Sequence, residues 1–315
     1  MRVAVVDIGT NSTRLLVADA DAATSQVTEL ARRSEVTRLG DGVDAGRELA
    51  PDAVERVFGR LAEYRRTIDE HGCEANLAVL TSAVREASNG ASFAAEVRER
   101  FGLDARVLSG DEEAQLTFQG AMSGRPAPLQ PTVVIDIGGG STEFVVGVGR
   151  SAGFHTSLPA GVVRMSERHI ASDPPAGAEL QAVTVDVRET LERGLPADER
   201  APVRRGIAVA GTATSAAAID QALDPYDPAR VHGYELLLGT VELMLARLAE
   251  MDEGQRRAIA GLHPDRAPTI VAGMILLIES MRAFALESIE VSEHDILYGG
   301  ALRLAAEASG ARAAG

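Results

Sequence analysis

The chain has 315 residues, a formal net charge of −15, 45% apolar residues and 24% charged ones, a composition that folds as one large or two medium globular domains. So acidic a protein is not a general nucleic-acid binder, which needs basic side chains to displace phosphate counterions. All 31 basic residues are arginine, which removes Walker A and Schiff-base lysine chemistry, and Cys73 is the only cysteine, which removes internal disulfides and thiolate zinc sites.

The N-terminus enters an apolar strand pattern at Val3 and reaches Asp7 without a basic segment, a long apolar segment or a small-residue cleavage site, so the sequence predicts a cytoplasmic protein. The longest apolar run, within Val271 to Ile278, is far short of the roughly 18 residues that cross a bilayer, and no membrane association is expected. Ala4 to Ala18 reads AVVDIGTNSTRLLVA, strand, Gly/hydroxyl turn, strand, which is a hairpin signal. Pro51 opens a helix with apolar residues at Val54, Val57, Phe58 and Leu61, and Gly72 follows its end. A strand at 77–80, a helix at 92–101 closed by Gly102, a strand at 105–108 and a helix from Ser109 to Met122 come next. The stretch from Ser123 to Pro131, with three prolines, reads as a linker between domains.

Val133 to Gly147 then reads VVIDIGGGSTEFVVG, a second copy of the hairpin in which Asp136 matches Asp7 and Gly138 matches Gly9. A repeat this distant implies two similar domains, since solenoid periods are about 20 to 50 residues. Helices are predicted near 162–170 and 179–193, a strand at 207–210, a helix opened by Gly211 and Thr212, helices at 235–251 and 268–284, a strand at 288–291 and a final helix after Ile296 that returns to the first domain. The predicted division is residues 1–124 with 295–315, and residues 125–294.

Backbone N–H groups and hydroxyls in a tight Gly/Ser/Thr turn can surround phosphate oxygens. For one turn alone, a strand-ending hairpin with a left-handed glycine explains the sequence equally well; two copies favour a site. An aspartate ending each strand, Asp7 and Asp136, suits hydrated Mg²⁺, which keeps several waters and takes one or two carboxylates.

The two hairpins, together with Ala210-Gly211-Thr212 opening a later helix, resemble the phosphate and nucleotide loops of actin, sugar kinases and heat-shock chaperones. Within that superfamily, DIGTNSTRLL from Asp7, TSAVREA from Thr81, LSGDEEA from Leu108, DIGGGSTEFVVG from Asp136, PYDPARVHG from Pro225 and APTIVAG from Ala267 resemble the exopolyphosphatase and guanosine pentaphosphate phosphohydrolase (Ppx/GppA) family, in its short two-domain form. The resemblance implies an α/β fold of two ribonuclease H-like lobes with the active site in the cleft between them, and a homodimer. It also implies metal-dependent release of phosphate from the ends of inorganic polyphosphate, with guanosine pentaphosphate as the alternative substrate and a kinase or non-catalytic nucleotide binder as remoter readings.

Glu113 takes the water-activating role by that resemblance. Ser109 and Glu112 form a potential capping box that accounts for Glu112 and leaves Glu113 without a capping task. Glu143 is implied as a catalytic or metal-linked carboxylate beside Asp7 and Asp136. The expected phosphate contacts are Gly9, Thr10, Asn11 and Ser12 of the first turn, Gly138, Gly139, Gly140 and Ser141 of the second, Gly211 and Thr212, and the guanidinium groups of Arg14, Arg85 and Arg266, which can bind phosphate bidentately. His294-Asp295 resembles the dipeptide of HD phosphohydrolases, but the rest of that ligand set is missing. The segment from Glu293 to Gly300 departs from the family ending, where an arginine precedes the last glycine.

Overall fold

The computed structural model describes residues 1–313, without the side chains of residues 44, 45 and 311–313. The chain divides into two compact units: residues 1–126 with residues from 294 onward, and residues 127–293.

The first unit contains β1 (Arg2–Ile8), β2 (Ser12–Asp21), β3 (Gln26–Val36), α1 (Val43–Gly46), α2 (Pro51–Glu70), β4 (Ala75–Leu80), α3 (Ser82–Glu86), α4 (Gly90–Phe101), β5 (Ala105–Val107) and α5 (Gly110–Ala121). Its sheet has the order β3-β2-β1-β4-β5, with β1 antiparallel to β2 and parallel to β4. The run Val3–Val6 of β1 is continuously apolar because both faces of the strand are covered. Ala4, Val6 and Ile8 pack towards Phe58, Leu61 and Phe93 of α2 and α4, whereas Val3 and Val5 pack towards Leu297, Ala301 and Leu304 of the C-terminal helix, Ile296–Ala313. The helix α2 buries Val57, Phe58, Leu61, Tyr64 and Ile68, a stripe at helical spacing in which each side chain contributes about 1.5–3 kcal/mol. Gly72 and Gly102, with φ of 62° at both, turn the chain out of α2 and α4 in the left-handed conformation that glycine adopts without Cβ strain.

The second unit contains β6 (Thr132–Ile137), β7 (Thr142–Val148), β8 (Ser151–Leu158), α6 (Val162–His169), α7 (Gly177–Gly194), α8 (Ala197–Arg200), β9 (Arg205–Val209), α9 (Ala210–Asp220), α10 (Pro228–Val231), β10 (Glu235–Leu237), α11 (Leu238–Ala249), α12 (Glu253–Arg257), a 3₁₀ turn at Pro264–Arg266, α13 (Ile270–Ala283) and β11 (Ser288–Val291). The C-terminal helix is α14. The sheet order β10-β11-β9-β6-β7-β8 contains the first unit's order again: β8-β7-β6-β9-β11 repeats β3-β2-β1-β4-β5, with the same parallel and antiparallel partners. This is the ribonuclease H-like α/β arrangement, duplicated. Its core runs from Val133, Ile135 and Phe144 to α7, α9, α11 and α13, and α13 is buried almost all round, as its apolar run from Ile270 to Ile278 requires.

Two features differ from the sequence reading. Glu235–Leu237 is an edge strand, so the helix expected at 235–251 begins at Leu238. The strands β3 and β8, absent from the reading, are mostly exposed or half-buried, with charged and small polar residues in place of an apolar alternation.

Candidate active site

Backbone register decides what the first hairpin presents. Asp7 on β1 stands directly opposite Arg14 on β2, and the alternation that turns Val5 and Leu16 towards α14 turns Asp7 and Arg14 to that face as well. Arg14 donates from Nε and Nη2 to Asp7 Oδ2 at 2.9 and 2.6 Å, and from Nη1 to Asp295, just ahead of α14. The other oxygen of Asp295 accepts the Leu297 N–H at 3.0 Å. Burial holds the Asp7 carboxyl above its ordinary value against the pull of Arg14. Asp295 is just as buried, yet Arg14, Arg32 and the Leu297 N–H together outweigh burial and hold it below its ordinary value.

The turn between the strands closes on itself, with the Gly9 N–H donating to the Ser12 carbonyl at 3.0 Å. Gly9 is not left-handed; its lack of a side chain serves close approach, since a Cβ would sit 3.3 Å from the Ser12 oxygen and 4.0 Å from both Asp7 Oδ2 and Thr81 Oγ1. The Thr10 and Ser82 hydroxyls meet at 2.9 Å, and the Asn11 carbonyl accepts from the N–H groups of Thr37 and Arg38. The turn is thereby fastened to α3 and to the chain after β3.

Arg85 and Glu113, which lie 28 residues apart, meet in the same unit. Arg85 Nη1 donates to Glu113 Oε2 and to the Leu108 carbonyl, both at 2.9 Å. The capping box at the start of α5 is present: Glu112 N–H donates to Ser109 Oγ at 3.2 Å, and Ser109 N–H to Glu112 Oε2 at 3.0 Å. Glu113 therefore takes no part in capping, and its carboxylate is only 17% exposed beside the guanidinium.

The second hairpin has the same frame and different charges. The Gly138 N–H donates to the Ser141 carbonyl at 2.9 Å, as Gly9 does to Ser12. Its loop carbonyls are consumed by α6: Gly138 accepts from Val162, Gly139 from Val163 and Arg164, and Gly140 from Arg164 Nε at 2.9 Å. Gly161 makes this approach possible, because a Cβ there would lie 2.3 Å from the Gly139 oxygen. Across the strands Asp136 stands opposite Glu143, and both are half-buried. Two carboxylates directly opposed on an antiparallel pair, with Cβ atoms about 4.5–5.5 Å apart, repel unless a cation lies near. Glu143 Oε1 accepts from the hydroxyls of Ser141 and Ser157 at 2.5 and 2.7 Å, which fixes the carboxylate's orientation. This donor set fits a hydrated divalent cation taking one or two carboxylates. Asp7 fits less directly, since its Oδ2 is already held by Arg14.

Gly211 and Arg266 also come together, within the second unit. Arg266 Nη1 donates to the Gly211 carbonyl at 2.7 Å and to Ser215 Oγ at 2.9 Å, and a Cβ on Gly211 would sit 2.6 Å from the guanidinium carbon. Ala210, one residue earlier, has a φ of 64°, a strained conformation for a residue with a side chain. Thr212 is buried, and α13 meets it at Gly273, where a Cβ would lie 3.0 Å from the threonine methyl.

The sequence reading missed four contributors: Ser82, Ser157, Arg164 and Asp295. The first three are ordinary residues whose roles depend on strand and helix docking. Asp295 was visible only as half of an HD dipeptide, and the structure gives it another task, as the second carboxylate on Arg14.

A duplicated α/β fold with a Gly/Ser/Thr hairpin at the head of each sheet, one carrying opposed carboxylates, defines a phosphate-handling protein of the kind the sequence resembled. The chain belongs to the Ppx/GppA phosphatase family, whose model matches residues 15–303. It is 38% identical to Exopolyphosphatase 2 of Mycobacterium tuberculosis over 315 residues, covering 96% of this chain and 98% of that protein. Among solved structures it is similar to an exopolyphosphatase-like protein, with a TM-score of 0.87, 31% identity and coverage of 97% of this chain and 98% of that one. It is also similar to the Aquifex aeolicus Ppx/GppA family member, with a TM-score of 0.84, 29% identity and 98% coverage of both chains. Among the described residues, no helix is long and apolar enough to cross a membrane.

Proposed function

We propose that this protein is an exopolyphosphatase, hydrolysing terminal phosphoanhydride bonds of inorganic polyphosphate to release orthophosphate. The observation that carries the reading is Glu113: a carboxylate with no capping duty, held by Arg85 beside the end of β5, in a chain whose sequence matches Exopolyphosphatase 2 from end to end. A carboxylate so placed can accept the proton of an attacking water.

The roles divide between the units. In the first, Glu113 orients the attacking water and takes its proton, while Arg85 holds Glu113 and offers its remaining N–H groups to phosphate oxygens. The turn from Gly9 to Ser12 supplies N–H and hydroxyl donors, and Arg14 keeps Asp7 in place. In the second, the Gly138 to Ser141 turn, the Gly211 turn with Thr212, and Arg266 supply further phosphate contacts. In the second unit, Asp136 and Glu143 are the residues that would hold Mg²⁺ or another divalent cation. A bound Mg²⁺ supplies neutralisation of phosphate charge. The protein would work in the cytoplasm as a homodimer.

Phosphate release from short and long polyphosphate, guanosine pentaphosphate and ATP, with Mg²⁺ and with EDTA, tests the proposal. Polyphosphate should give the highest kcat/KM, and EDTA should abolish turnover. A preference for guanosine pentaphosphate would move the protein to the family's other substrate, and full activity in EDTA would sink the metal assignment.

A further inference from the structure

The chain leaves β3 through a segment that grips the first hairpin turn. Thr37 is buried, its hydroxyl 2.9 Å from that of Thr13, and Leu39 is fully buried in the core. The N–H groups of Thr37 and Arg38 donate to the Asn11 carbonyl at 3.0 and 2.9 Å, and the Gly40 N–H donates to the Thr10 carbonyl at 2.8 Å. With the Ser12 carbonyl taken by Gly9, the last three carbonyls of the turn are engaged. The N–H groups of Thr10 and Asn11, by contrast, donate to no acceptor among the described residues. A turn whose acceptors are engaged and whose donors are open suits an anion.

Arg38 is an odd residue for its place. Its φ is 49°, in the left-handed region that costs a residue with a side chain and that glycine and asparagine enter most readily. Gly42, four residues on, meets the same demand with a glycine, at a φ of 78°. The backbone explains why position 38 is turned: both neighbours are buried, its N–H is held by Asn11, and its carbonyl accepts from Arg56 Nη2 at 3.3 Å. None of this calls for an arginine. The side chain is exposed and makes no hydrogen bond or ion pair among the described residues. What separates Arg38 from other exposed arginines is its root, one hydrogen bond away from a turn with open donors. That turn also lacks the cation expected of it, because Arg14 donates from Nε, Nη1 and Nη2 to Asp7 and Asp295.

We infer that Arg38 is a substrate-binding residue, its guanidinium taking oxygens of a phosphate group that lies on the N–H groups of Thr10 and Asn11. The inference rests on the reading of this protein as a phosphoanhydride hydrolase. A contact to a phosphate held alike before and during reaction acts on KM and leaves kcat alone, unlike the contact of Glu113 with the attacking water.

Steady-state kinetics of Arg38→Asn on tripolyphosphate test it. Asparagine accepts the left-handed backbone and removes the charge, so KM should rise about tenfold while kcat stays within about twofold of the parent. The melting temperature should hold or rise, since the backbone strain is relieved. Arg247→Gln, which removes the same charge from an exposed place on α11, should leave KM unchanged. The inference is overturned by an unchanged KM in Arg38→Asn, by an equal rise in Arg247→Gln, which would make the effect one of net charge, or by a raised KM with a melting temperature several degrees lower, which would make Arg38 a prop for the turn. A parent that releases phosphate from guanosine pentaphosphate and not from tripolyphosphate would correct the substrate alone, and the same KM ratio on that substrate then decides the role of Arg38. Release from neither would sink both readings.

Discussion

The two hairpins share a backbone and oppose each other in charge. Counting from the aspartate, Arg14 of the first and Glu143 of the second occupy the same place, each seven residues on and each directly across the ladder from its aspartate. The first copy pairs a carboxylate with a guanidinium, and Arg14 reaches on to Asp295; the second pairs two carboxyl groups, Glu143 being held by two serine hydroxyls. A duplicated frame thus sets one aspartate across from an arginine and the other across from a glutamate. The difference rests on a single cross-strand residue.

The most severe way to break this comparison is Glu143→Arg, which gives the second hairpin the charge pattern of the first. Loss of the opposed carboxylates should remove cation binding, and with several kcal/mol of charge stabilisation gone kcat should fall about 10⁴-fold. Retained Mg²⁺ affinity in a calorimetric titration of this variant would place the metal elsewhere.

Glu113→Gln keeps size and hydrogen bonding while removing the base, so kcat should fall about 10³-fold with KM unchanged or slightly lower. Near-normal turnover in folded protein would transfer the base role to another carboxylate, Glu143 being the first to test.

Asp295→Asn sharpens the comparison at the neutral hairpin. Asparagine can still accept the Leu297 N–H but withdraws the charge from Arg14, so we expect about a tenfold loss in kcat through a looser Asp7, together with a higher Mg²⁺ requirement. A fall in melting temperature without a change in Mg²⁺ dependence would make Asp295 a purely structural partner. The sign of its pH effect follows from its depressed value: its contribution to stability is full above the unfolded carboxyl value, about 3.9, and is lost as pH falls through the folded one.

The smallest effect lies outside both hairpins, at Glu179. Its carboxylate is pulled down to about 2 by the Ser172 hydroxyl and by the N–H groups of Ala171 and Ala176, pinning the loop ahead of α7. Glu179→Ala should lower the melting temperature slightly at pH 7, and the difference from the parent should shrink as pH falls from about 4.3 towards 2.

Much of the site was legible as strings. The repeat around Asp7 and Asp136, the capping box that frees Glu113, and the helices bounded by Pro51, Gly72 and Gly102 are local patterns whose period or cap chemistry is carried by neighbouring residues. The left-handed glycine that would explain one turn alone is not found: neither Gly9 nor Gly138 has a positive φ, and a Cβ on either would crowd a carbonyl oxygen across its turn. Strand β3 was illegible because it is an edge strand with no fully buried residue on either face, so nothing in it requires the apolar alternation of a half-buried strand.

By itself the sequence determined the duplication, the two turns and the candidate carboxylates, since the repeated hairpin string, apolar strand runs, glycine turns and helix caps are carried by neighbouring residues. The partnerships were decided by tertiary structure alone. Whether Arg14 grips Asp7 or a phosphate depends on strand register and on α14 bringing Asp295 across 281 residues of chain. The joining of Arg85 to Glu113, and of Arg266 to the Gly211 turn, depends on helices docking against a sheet. An ion pair is set by distances of a few ångströms, and sequence separation carries no information about those until the core has packed.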